Sequence, residues 1–326
     1  MRDFRYWFAE NRGTLLAILV FVVMFAIYTG NHSAGFSANV ITTASNKGVL
    51  LALVAMAQTM VVLTAGIDLS VGMIFVLANC LASTIAVGTA FETTLGIIGV
   101  LATGIACGAL NGVIVIYGRL QPIVTTLATG AVFFGISLWL RSVPGGDTNA
   151  DLADALTGQL PGGIPTSLVV LLGIVLLVWV PFRRSMLGRA AYAVGSSEPA
   201  AYMSGVPIER ARLLAYVLSG FLASCGGLML TFITYSGEAS AAIGGTYTLN
   251  SIAAVVLGGV SLFGGSGSAI GAIFGAFALR TIGDLLFVFD MEPFWQPLFQ
   301  GVILLAAVTL GSLRLLRIKN RLDLFG

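Results

Sequence analysis

Runs of apolar residues separated by short polar breaks fill most of the chain. "LLALVAMAQTMVVL" (Leu50–Leu63) and "MIFVLANCLASTIAV" (Met73–Val87) are two of them. Several runs reach 17 or more residues, enough to cross a hydrocarbon core about 30 Å thick. Each is predicted to be helical, because in lipid every backbone group must be satisfied within its own segment. The pattern predicts about ten spans, at roughly 14–30, 48–65, 69–88, 95–117, 122–140, 166–182, 212–235, 247–263, 268–289 and 297–313. Pro122, Pro165 and Pro297 stand at span starts, where a missing N–H costs little. The expected class is an all-α, polytopic membrane protein with one transmembrane domain over 1–326.

Charge orients the spans. With the N-terminus inside, the inside segments hold Arg2, Arg5, Arg12, Arg119, Arg183, Arg184, Arg189, Arg210, Arg212, Arg314, Arg317, Lys319 and Arg321, 13 of the 16 basic residues. Lys47 and Arg141 fall outside and Arg280 falls within a span. That skew predicts an even number of spans and cytoplasmic termini. Composition agrees: 57% of residues are hydrophobic and 9% charged, against about 25% charged in soluble domains. A net charge of +2 suggests no nucleic-acid partner. Cys80, Cys107 and Cys225 lie in apolar runs and read as small buried hydrophobes. Arg2, Arg5 and Arg12 precede the first apolar run without a clean cleavage site, so a retained first span is expected rather than a signal peptide.

Two loops stand out. The outer loop at 141–165 carries Asp147, Asp151 and Asp154, and a short helix around Ala150–Leu156 capped by Asn149 is expected there. It reads as a solvated loop or as a docking surface for an external partner. The inner loop at 183–211 contains "SSEPAAYMSG". Ser196 or Ser197 can cap a helix, Glu198 and Pro199 suit its first turn, Gly205 can take the left-handed position after it, and Pro207 prevents continuation. So short a helix needs a surface to pack on. The small side chains of Ala200, Ala201 and Gly205 suggest a socket for another protein; a connector resting on its own chain or on lipid is the plainer reading. "VVLTAGIDLSVG" (Val61–Gly72) and "VVLGGVSLFGG" (Val255–Gly265) form a faint internal echo.

"AVGSSEPAAYMSGV", "TAGIDLSVG", "LQPIVTTLATG" (Leu120–Gly130) and "LNSIAAVVLGGVSLFGGSGSAIGAIFGA" (Leu249–Ala276), in that family's order along the chain, resemble the permease subunits of binding-protein-dependent ABC importers, specifically the ribose-type sugar permeases. The resemblance covers about residues 45–315. It implies an ABC importer permease fold in a bacterial inner membrane, pairing with a second copy or a paralogue. It also implies a cytoplasmic ABC ATPase, which carries ATP and Mg, and a periplasmic binding protein that delivers a monosaccharide. Gly195, Ser196, Ser197, Glu198, Ala200, Ala201 and Gly205 fall on the ATPase-coupling motif. Where the family often has Gly-Gly-Asn, this chain has Gly195-Ser196-Ser197, which keeps the cap chemistry. Asn250 replaces a common acid and Phe134-Gly135 a frequent Arg-Gly, which puts the sugar's identity in doubt.

The chain carries no G-x-x-x-x-G-K-[ST] loop: Lys47 and Lys319 are followed by Gly48 and Asn320. No cofactor, metal site or catalytic constellation is expected, since the single histidine, His32, has no Cys or His neighbour in sequence. A stand-alone secondary transporter or channel is the rival reading and would need a buried ion site. Asp68, with Gly66, Ser70 and Gly72, is predicted at a tight turn on the inner boundary of spans two and three. It could cap span three, contact a partner, or face the sugar path. Gln58, Asn79, Asn111, Thr125, Thr126, Phe133 and Asn250 are candidate path residues, each also readable as interhelical glue. Arg280 and Asp284, four apart, are expected to form an ion pair.

Overall fold

The computed structural model describes residues 2–292, 294–302 and 305 of the chain. Its helices are α1 (Arg2–Asn31), α2 (Ala38–Val62), α3 (Val71–Ile85), α4 (Ala90–Tyr117), α5 (Pro122–Leu140), α6 (Ala150–Thr157), α7 (Thr166–Ile174), α8 (Val180–Arg184), α9 (Met186–Ser196), α10 (Glu198–Met203), α11 (Ile208–Thr234), α12 (Ala241–Leu257) and α13 (Ala269–Val288). A hairpin of β1 (Gln159–Leu160) and β2 (Ile164–Pro165) precedes α7. A π-helical turn, Val175–Trp179, joins α7 to α8. Pro181, just beyond, has no N–H to give a regular turn, and the Val180 N–H reaches back to the Val175 carbonyl. Seven helical stretches are long and apolar enough to cross a membrane, and α3 and α12 are shorter apolar helices. The predicted tenth span, 297–313, lies largely outside the described residues.

Contacts sort the connections into two ends. At one, Gln159 bonds Asn39, Asn149 bonds the Gly88 carbonyl, Arg141 bonds Ser83, and Gly145 pairs with Gly237. At the other, Gly195 packs on Leu63 and Gly264, and Gly13 on Gly259. This second end gathers Arg119, Arg183, Arg184, Arg189, Arg210 and Arg212 and is called the basic end below.

α2 is the axis of the bundle. From Gly48 to Thr64 every residue is buried, as expected of a helix apolar on all sides. α11, α13 and α12 surround it. α4 and α11 approach at backbone distance. A Cβ on Gly104 would stand 2.5 Å from the Gly220 carbonyl oxygen, and one on Gly108 2.2 Å from that of Tyr216. This is the small-residue packing that holds helices together where lipid offers no hydrophobic drive.

Some boundaries move from the sequence reading. α2 begins ten residues before the expected 48, behind a Ser37 cap. The eighth span is found at Ala241–Leu257 rather than 247–263, because Ser240 caps its start and Gly259, at φ +78°, turns the chain beyond its end. Apolar Val260, Leu262 and Phe263 belong to a turn, not a helix. α9 was not expected; Ser185, whose hydroxyl accepts from the Gly188 N–H at 2.9 Å, is the signal that marks it. The outer-loop helix is α6, with Asn149 accepting from the Leu152 N–H at 3.0 Å. Beyond α11, the Asp154 carboxylate accepts the Tyr235 hydroxyl and holds that phenol above its ordinary pKa.

Candidate functional site

At the basic end, α9 and α10 form a hinged pair lying across the bundle. Gly195 must be glycine: a Cβ there would stand 2.0 Å from the Leu63 carbonyl oxygen. The Tyr192 hydroxyl donates to the Gly267 carbonyl at 2.7 Å. Ser196 bonds back to the Tyr192 carbonyl at 2.9 Å, and Ser197 accepts from the Ala200 N–H as the cap of α10. The Gly265 N–H donates to the Leu63 carbonyl at 3.1 Å, so the two echoing segments meet beneath α9. Glu198 and Arg212 form a two-pronged ion pair at 2.9 and 2.6 Å, tying α10 to the first turns of α11. Gly205 follows α10 at φ +70°.

Two of the seven motif residues, Gly195 and Ala201, turn inward. Ala201 is 4% exposed and packs on its own chain, whereas Tyr202 and Met203 are 78% and 87% exposed. The outward face of α10 is therefore an aromatic and a thioether, with Ala200 and Gly205 exposed beside them. A cleft of about 740 Å³ opens next to it, lined by Tyr202, Arg119, Arg210, Arg212, Gly66 and Tyr216 among others.

The second candidate region lies inside the bundle. The segment after α2 turns at the basic end, as the sequence reading has it, but Asp68 does not stay at that boundary. The segment reverses at Ala65, φ +62°, and climbs back unwound beside α2 until α3 starts at Val71. With its amide oriented to satisfy both bonds, Gln58 donates to the Asp68 carbonyl at 2.9 Å and accepts the Asp68 N–H at 3.3 Å. Asp68 is thus level with a residue one helical turn inside α2 and is completely buried. α3, at 15 residues, rises only about 22 Å; the unwound stretch completes the crossing.

Three donors from two residues converge on the Asp68 carboxylate. Its Oδ1 accepts from the Ser70 N–H at 2.9 Å and the Ser70 hydroxyl at 2.6 Å; its Oδ2 accepts from Ser219 of α11 at 3.2 Å. Asn111 of α4 donates to the Ser70 Oγ at 2.7 Å and accepts from Thr129 of α5 at 2.6 Å. Thr126 accepts the Leu69 N–H at 2.9 Å, and Thr248 of α12 the Gly72 N–H at 3.1 Å. Gly72 lies so near α12 that a Cβ would stand 1.9 Å from the Gly244 carbonyl oxygen. Side chains thus replace the helical bonds that the unwound backbone lacks. A buried carboxylate is tolerable only when so satisfied.

The candidate path residues fall into different places. Gln58, Asn111 and Thr126 join the Asp68 hub. Asn79 sits higher, donating to Thr231 and the Ser236 carbonyl and accepting the Glu238 N–H. Phe133 is buried in the core, and Thr125 is buried with its hydroxyl unbonded. Asn250 is half-buried on α12. Ser219, Thr129 and Thr248 escape sequence reasoning, since single hydroxyls in apolar spans look like any other. The expected Arg280–Asp284 pair does not form. Asp284 bonds Lys47 at 3.2 Å, because α13 packs on α2 with Phe277 against Gly48 and presents Asp284 to Lys47. Arg280 Nε is buried without a hydrogen bond.

This arrangement can be set beside known proteins. The ribose import permease protein RbsC of Escherichia coli (strain K12) is 33% identical over 311 residues, 94% of each chain. The autoinducer 2 import system permease protein LsrC of Enterobacter sp. (strain 638) is 33% identical over 312 residues, 94% of this chain and 88% of the relative. The fructose import permease protein FrcC of Rhizobium meliloti is 32% identical over 306 residues, 91% of this chain and 84% of the relative. No solved structure matches the chain. A family model described as branched-chain amino acid transport system / permease component matches residues 40–308. An extended polar turn buried in an all-helical membrane bundle, a short helix held out at its basic end, and this likeness along the whole chain lead to one assignment: the protein belongs to that permease family.

Proposed function

We propose that the chain is the membrane subunit of an ABC importer for a monosaccharide, a pentose or hexose, in a bacterial inner membrane. Ten spans with cytoplasmic termini would put the basic end inside. Two copies, or this chain and a paralogue, would form the pathway; a periplasmic binding protein would deliver the sugar to the opposite end. ATP and Mg would act on a cytoplasmic ATPase that grips α10, and alternating access would follow from its closure.

The observation that carries this reading is the outward face of α10. A helix of six residues fastened by a serine cap and a two-pronged ion pair holds Tyr202 and Met203 exposed at the basic end. Exposed large apolar residues outside the lipid zone mark a protein contact. The sugar class rests on the ribose and fructose import permeases among the relatives.

The test is reconstitution in proteoliposomes with the ATPase and receptor, measuring uptake of labelled ribose, fructose and related sugars. Uptake should require ATP and all three components; uptake by the chain alone, indifferent to ATP, defeats the reading. Met203→Asp should release the ATPase without unfolding the chain, an expected loss of about 2 kcal/mol of binding, read by co-purification and by thermal melting of the permease.

A further inference from the structure

The hub and the exposed helix lie about 10 Å apart along one face of α11. Arg212 and Ser219 are seven residues apart, which is two turns and close to the same azimuth, about 10.5 Å along the axis. Arg212 holds Glu198 of α10; Ser219 holds Asp68. Tyr216 lies between them on the same stripe, buried against Gly112 and beside Gly66, where a Cβ would stand 3.4 Å from its hydroxyl. We propose that this stripe is the mechanical link through which α10 resets the unwound Asp68 segment, with Arg212 and Ser219 as the positioning residues at its two ends. The inference rests on the permease reading above and adds the route by which the motor's movement reaches the buried segment one helical turn inside the basic end.

Three features make the route physical. A helix is stiff along its axis, and α11 is locked to α4 by Gly104 and Gly108 at backbone contact, so a displacement of its first turns carries to Ser219 with little loss. At the receiving end, the 68–70 backbone is held by Gln58, Thr126 and Asp68 side chains rather than by a helical ladder. Such bonds can be exchanged one for another, which a continuous helix cannot do without breaking. From Asp68 the bonds run on through Ser70 and Asn111 to Thr129, so α3, α4 and α5 share one polar junction with α11.

Nearness along a helix is not evidence of energetic linkage; a double-mutant cycle is. The assembled permease, ATPase and receptor, in proteoliposomes, would be assayed for ATP hydrolysis and for labelled sugar uptake in the same vesicles. The quantity read is sugar moved per ATP. Ser219→Ala should lower it about tenfold, within the usual range of linkage between sites, while hydrolysis and co-purification of the ATPase persist; Arg212→Gln, whose pair fastens α10, should lower it as far in the complexes that retain the ATPase. The double variant should fall no lower than the worse single one. The exchange Glu198→Arg with Arg212→Glu should restore the ratio. An unchanged ratio in either single variant, multiplicative losses in the double, or no recovery in the exchange overturns the link. So does loss of the ATPase from purified Arg212→Gln complexes, which would make the ion pair a docking clamp. Failure of the wild-type complex to move sugar on ATP would sink the permease reading and this one with it; wild-type transport with indifferent variants sinks this one alone.

Discussion

Two neighbouring stretches of chain, one buried throughout and the other with Asp68 and Ser70 buried and Leu69 half-buried, are built in opposite ways. Gly48–Val62 is almost wholly apolar and helical, and its backbone is satisfied within itself. Asp68–Ser70 is unwound, and is held by side chains of α2, α5 and α11. The first contributes burial and a fixed axis. The second gives up helical bonds for bonds that depend on where its neighbours stand. Burial alone therefore does not make a segment rigid: the same bundle contains an invariant core and a junction whose conformation follows four other helices.

Substitutions can break or sharpen that contrast. The largest effect is expected on the rigid side. Gly108→Leu drives a side chain into the Tyr216 carbonyl and should cost 3 kcal/mol or more, about the upper range for overpacking, seen as loss of folded protein in detergent. Asp68→Leu comes next. It leaves the Ser70 and Ser219 donors buried without an acceptor, at about 2–3 kcal/mol, and should abolish uptake. A variant that transports normally would show the junction to be dispensable. Thr126→Val removes the acceptor for the Leu69 N–H and should cost about 1 kcal/mol; uptake should fall more than the melting temperature suggests, whereas a proportional fall would make the unwound stretch as rigid as α2. The smallest is Ala65→Gly. Ala65 holds φ +62°, a conformation costing about 1 kcal/mol for a residue with a Cβ, so glycine should be neutral to slightly stabilising by thermal melting.

The inner loop at 183–211 and the hub were unequally legible. α10 could be read because its signals are local: Ser197 before it, Pro199 in its first turn, Gly205 after it. α6 with its Asn149 cap is the same case. The facing of α10 could not be read. Ala201 looked like part of a socket, yet the ion pair between Glu198 and Arg212, 14 residues on, rolls it inward and leaves Tyr202 and Met203 outside. Asp68 was legible only in part. Glycine, serine and aspartate between apolar runs mark the turn, which stands at Ala65 on the basic end, and only Ser219, 151 residues away, and Asn111, 41 away from Ser70, make a buried position one helical turn inside it tolerable. Lys47 and Asp284, 237 residues apart, repeat the lesson, since helix spacing pointed to Arg280 instead.

By itself the sequence determined the helical membrane class, most of the spans, the basic end and the short helix at it, because hydrophobic length, charge bias and capping act within a few turns of chain. Only the tertiary structure decided how deep the Asp68 segment lies, which face of α10 is free and which charge pairs with which. Those depend on donors, acceptors and glycine contacts brought together from helices far apart in the chain, and nothing local to a segment encodes the neighbours it will meet.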